Sequence, residues 1–137
     1  MRIPLRLKSV TLALYAALLG LLIVLLAIRV TMLRRRYRVG VGCGDNDALR
    51  LAIRVHANAI EYIPISLLLL LALELNGGPY WLLHVSGITL VAARLLHAWG
   101  LSRSAGTSFG RSSGTALTWL VIMALAAINI VRFAILA

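Results

Sequence analysis

The run RVHANAIEYIPISLLLLLALEL, residues 54–75, decides how this chain folds. Its second half is apolar enough to sit in hydrocarbon, yet its first half carries Arg54, Asn58, Glu61 and Tyr62. On a helical wheel with Arg54 at zero, Glu61 falls near about −20°, Arg50 near about −40°, Asn58 near about 40° and Tyr62 near about 80°. The five share an arc of about 120°, opposite a face of Ile, Leu, Ala and Val. Ionisable groups at membrane depth cost roughly 2.5–3.5 kcal/mol each, so they persist where they meet partners, a cavity or a ligand. An ion pair between Arg54 and Glu61 inside a bundle accounts for part of the stripe. A polar ligand accounts for donors and acceptors of both charge signs. Pro64 has no N–H and crowds the carbonyl of Ile60, so it either kinks the helix beside the stripe or stands there as a tolerated membrane proline.

The rest of the chain fits the same solvent. Of 137 residues, 61% are hydrophobic and 13% charged, against about half and about a quarter in soluble domains. Crossing the hydrocarbon takes about 20 residues. Four segments suffice, at about 9–33, 47–75, 81–101 and 114–136. Residues 1–137 therefore read as one all-α domain, a four-helix transmembrane bundle. The first apolar core is too long for a signal peptide, and RVTMLRRRYR follows it in place of a small-residue cleavage motif, so the first helix reads as uncleaved. NGGP, residues 76–79, predicts a tight turn that makes helices two and three a hairpin. Asp45, Asn46 and Asp47 are candidate caps for helix two. SRSAGTSFGRSSG, residues 102–114, reads as a polar, glycine-rich third loop.

Lys and Arg number 14 against 4 Asp and Glu, a net charge of +10. Most of these cations flank apolar runs, where they set topology and meet anionic headgroups; no nucleic-acid-binding pattern accompanies them. Loops one and three share one side and hold Arg34, Arg35, Arg36, Arg38, Arg103 and Arg111, against Arg2, Arg6, Lys8 and Arg132 on the other. The positive-inside rule then puts the 1–2 and 3–4 loops in the cytosol, with Arg132 near enough to its helix end to snorkel. Cys43 is the single cysteine, so no internal disulfide forms, and no nucleophile–base pattern surrounds it. His56, His84 and His97 lack metal-ligand spacing, and no metal is expected. Tyr80, Trp81 and Trp99 fall at expected membrane interfaces. Arg94 and His97 sit on neighbouring faces of helix three. His97 is a candidate acid–base group or a hydrogen-bonded interface histidine.

R-x-H-x-N-x-x-E-Y-x-P on the second of four helices, YRV after helix one, GD before helix two and ARLLHAWG in helix three resemble the MAPEG family, the membrane-associated proteins of eicosanoid and glutathione metabolism. The likeness is to its short bacterial inner-membrane members and spans nearly the whole chain. It implies a left-handed four-helix bundle assembled as a homotrimer in the lipid bilayer. Glutathione, as co-substrate, would lie between subunits towards the cytosol. Carried over by position, Arg54, Asn58, Glu61 and Tyr62 match the glutathione-binding stripe, and Arg94 and His97 match polar positions of helix three. Arg34 or its neighbours lie where the end of helix one supplies a cation. Arg111, or in its place Arg103, would stabilise the thiolate. Several glutathione-using members carry a tyrosine one turn beyond His97, where this chain has Leu101.

The chemistry agrees with that resemblance. Arginine forks suit the two carboxylates of glutathione, Glu61 suits its ammonium, and a nearby arginine favours thiolate over thiol. The expected function is a membrane glutathione transferase or peroxidase acting on a small lipophilic electrophile. A small proton-coupled multidrug-type exporter also uses four helices and an intramembrane glutamate, but typically a lone one on the first helix. A non-catalytic membrane scaffold would tolerate changes in the stripe.

Overall fold

The computed structural model describes residues 10–103 and 108–136. Its four helices are α1 (Val10–Tyr37), α2 (Asp47–Leu75), α3 (Tyr80–Arg103) and α4 (Phe109–Leu136). At about 1.5 Å per residue even the shortest exceeds a hydrocarbon core of about 30 Å. All four are long and apolar enough to cross a membrane. The α2–α3 hairpin is central: α1 and α4 each pack against both of its helices, and among the described residues they do not contact one another. The core between them holds Leu19, Val55, Ile63, Leu70, Leu90 and Leu125.

Two ends differ from expectation. Helix α1 continues past residue 33 to Tyr37 because Arg34, Arg35 and Arg36 fill its last turn, where cations meet the negative end of the helix dipole. It stops at Arg38, whose φ of 55° is left-handed. The Val39 N–H then bonds the Arg34 carbonyl at 3.0 Å and the Arg38 N–H bonds that of Arg35 at 3.3 Å, a Schellman closure with arginine where glycine is usual. Helix α4 starts at Phe109 rather than about 114, so Arg111 stands in its first turns and not in a loop. Ser108 opens it by accepting the Arg111 N–H at its hydroxyl. Gly110 and Gly114, one turn apart, then press α4 against α3. A Cβ at Gly114 would lie 2.6 Å from the Ala93 oxygen and the His97 nitrogen. GRSSG is thus a small-xxx-small seam, and that contact keeps a polar stretch helical.

Helix α2 spans the expected residues. Asn46 caps it, its side chain accepting the Leu49 N–H at 3.0 Å. Its far end closes through Gly77, at φ 70°, with the Gly78 N–H on the Leu73 carbonyl at 2.8 Å. The Arg132 guanidinium donates to the Asn76 carbonyl and ties α4 to this cap. Asn129 donates to the Leu69 carbonyl at 3.0 Å one turn earlier. Tyr80, Trp81 and Trp99 lie exposed near the ends of α3, as interface rings do. Arg2, Arg6 and Lys8 lie outside the described residues.

Glu74 has a role the sequence did not suggest. Its two carboxylate oxygens accept the N–H groups of Thr11 and Leu12, at 3.1 and 3.0 Å, and so cap α1 from α2. The carboxylate also faces the positive end of the α1 dipole. Glu74→Ala is expected to lower stability by about 1–2 kcal/mol, read as an earlier thermal transition in detergent with helix content retained at low temperature.

Candidate functional site

Successive turns of α2 bring Arg50, Arg54 and Asn58 to one edge, where α3 presents His97 and Leu101 and α4 presents Arg111. With Leu51 these residues line a cleft of about 330 Å³. The early start of α4 matters here, because its first turn delivers Arg111 to the rim. Arg54 and Arg50 are exposed at the mouth, and Arg50 pairs with Asp47. Among the described residues no ion pair joins Arg54 to Glu61, so the stripe is not used up internally.

Behind the cleft, Arg94 is 2% exposed. Its Nη1 donates to Asn58 Oδ1 at 2.8 Å and its Nη2 donates to the Gly114 carbonyl at 3.2 Å. Its Cζ lies 5.6 Å from the centre of the Tyr62 ring, a cation–π distance. One guanidinium therefore ties α3 to both α2 and α4. Arginine only donates, so Asn58 must offer its oxygen to Arg94, which leaves its Nδ2 amide for the cleft.

His97 is also buried. Its Nδ1 lies 3.0 Å from Thr115 Oγ1 and 3.3 Å from the Arg111 carbonyl, so α4 holds one edge of the ring. The described lining side chains are then donors (three arginines and the Asn58 amide), two leucines and one histidine, with no carboxylate. Such a set is suited to an anionic ligand.

The structure sorts the expected site residues into three groups. Arg54, Asn58, His97 and Arg111 meet at the cleft. Arg94 and Tyr62 stand behind Asn58 and position it. Glu61 and Arg34 lie elsewhere in the single chain. Glu61 is exposed on the outer face of α2, outside the lining. Arg34 donates to the carbonyls of Gly40 and Gly42, at 3.0 Å each, and organises the first loop. The side chain of Arg103 lies outside the described residues. Sequence reasoning did not single out Thr115. Its signal is the spacing: Arg111 and Thr115 each follow a glycine of the α4 seam, so both flank the contact with α3.

The comparisons with known proteins agree with this architecture. The MAPEG family model matches residues 12–131. The inner membrane protein YecN of Escherichia coli K12 is 41% identical over 118 residues, covering 86% of this chain and 88% of that protein. YecN of Escherichia coli O6:H1 matches over the same length with the same identity. With the family model covering all four helices and their polar cleft, the chain belongs to the MAPEG family.

Proposed function

We propose that the cleft binds glutathione, and that the protein uses its thiolate as a transferase or peroxidase on lipophilic electrophiles of a bacterial inner membrane. One observation supports this above the others: a cleft of about 330 Å³ lined, among the described residues, by three arginines and no carboxylate, in spans otherwise built for lipid. Its volume lies within the range of small-molecule sites, about 300–1,000 Å³. Arg54, Arg50 and the Asn58 amide suit the glutathione carboxylates. Arg111, at the rim on α4, stabilises the thiolate in place of thiol. The lipophilic partner enters from the bilayer, and conjugation joins the sulfur to its electrophilic carbon.

In this reading the assembly is a homotrimer. Glu61 is exposed at membrane depth with no described partner in its own chain, a costly arrangement that a neighbouring copy or the bound ammonium relieves. Titration of glutathione into detergent-solubilised protein by calorimetry tests the site, and native mass measurement tests the assembly. Saturable binding by a trimer is expected. Absence of binding would remove the enzyme reading, and transport assays of Glu61→Gln in liposomes would then become the informative experiment.

A further inference from the structure

Among the side chains that line the cleft, His97 stands apart, because the others with polar atoms to offer are donors. Its protonation follows from its neighbours. The Thr115 hydroxyl donates its proton to the Arg111 carbonyl at 2.9 Å. Both groups facing Nδ1, that carbonyl and Thr115 Oγ1, therefore act as acceptors. Nδ1 must carry the hydrogen, and in the neutral ring Nε2 then bears the lone pair. Nε2 is buried and has no hydrogen-bond partner among the described residues. A buried acceptor of this kind is ordinarily met by something; the ring lines the cleft, so a ligand meets Nε2 where the side chains covering it give way. The charged groups around it are Arg94 on its own helix, Arg54 and Arg50 on α2 and Arg111 on α4.

We propose that His97 Nε2 takes the thiol proton of the bound ligand, and that Thr115 and the Arg111 carbonyl fix the tautomer that makes this possible. The proposal rests on the thiol reading of the cleft. In the step, the S–H bond breaks, its electron pair stays on sulfur, and the proton forms an N–H bond at Nε2. Sulfur then attacks the carbon of an epoxide or activated alkene. The atom that gains the displaced electron pair, the epoxide oxygen or the alkene carbon, takes the proton back from the imidazolium. Nothing is oxidised or reduced, and the histidine is restored. Arg111 stabilises the thiolate during the interval, and the thiolate in turn offsets the extra positive charge on His97.

The test uses the full chain in detergent, with reduced glutathione and S-methylglutathione as probes. Calorimetry in buffers of different ionisation enthalpy counts the protons released on binding, while ultraviolet absorbance reports thiolate. Wild type is expected to form thiolate with almost no proton passed to the buffer, because His97 keeps it. His97→Gln, which retains a hydrogen-bonding group of similar reach, is expected to lose turnover by about 100-fold or more while binding S-methylglutathione as wild type does. Thiolate formation in wild type with a full proton released overturns the role of His97 and leaves the thiol site standing. An unchanged turnover in a folded His97→Gln protein does the same. Failure of wild type to bind either probe removes the thiol site and this proposal together. If the variant does not fold, the wild-type proton count alone decides.

Discussion

Arg94→Leu is expected to destabilise the protein by about 2–4 kcal/mol, the largest loss from any single polar side chain at or behind the cleft. Leucine can occupy part of the space but reaches neither Asn58 nor the Gly114 carbonyl. Two hydrogen bonds from a charged donor disappear, each worth about 1.5–3 kcal/mol in buried settings. Against that, a buried charge is removed, which returns part of its desolvation cost. The loss wins because the partners stay behind: Asn58 Oδ1 is left without its donor, and among the described residues no other side chain ties α3 to both α2 and α4 by hydrogen bonds. The Gly114 carbonyl suffers less, since the Thr118 hydroxyl also donates to it at 2.7 Å. Arg94→Lys is expected to fall between, because one ammonium cannot reach both α2 and α4 with a fork's geometry. Thermal unfolding in detergent, followed by circular dichroism, measures both. A leucine variant that unfolds at the wild-type temperature would show that Arg94 does not hold the helices together, and would return it to the pool of ligand-binding cations.

That role for Arg94 was beyond the reach of the sequence, and the reason is general. A helical wheel gives the direction of a side chain and says nothing of its partner. Arg54, Asn58, Glu61 and Tyr62 point to one side of α2, yet that side meets three environments: a cleft at Arg54 and Asn58, the Arg94 guanidinium at Tyr62, and the outer surface at Glu61. The spans themselves were legible, because apolar length is a local property, and so was the α2 boundary with its Asn46 cap and NGGP turn. The start of α4 was not. Residues 109–113 are polar and glycine-rich, which locally predicts a loop, but Gly110 and Gly114 are helical through close approach to α3. The end of α1 hides for a related reason, since its basic residues are equally at home in a loop or in the last turn of a helix. Glu74 and Arg132 show the same limit. Each binds backbone of another helix, and such long-range capping leaves no periodic mark.

Arg54→Ala is expected to weaken glutathione binding by about 10- to 100-fold while leaving the fold unchanged, the counterpart of the Arg94 variant. Loss of one charge-assisted carboxylate contact corresponds to about 1.5–3 kcal/mol, or one to two powers of ten in affinity at about 1.4 kcal/mol each. The fold is spared because Arg54 is exposed and makes no described hydrogen bond or ion pair within its own chain. Arg54→Lys is expected to recover only part of the affinity, since a point charge lacks the two-pronged match to a carboxylate. The two arginines thus separate by measurement. Calorimetry should register Arg54→Ala strongly where thermal unfolding does not, and thermal unfolding should register Arg94→Leu whether or not ligand is present. Full-strength glutathione binding by a folded Arg54→Ala protein would mean that the anion does not sit at the α2 rim, and the cleft would lose its claim to be the glutathione site.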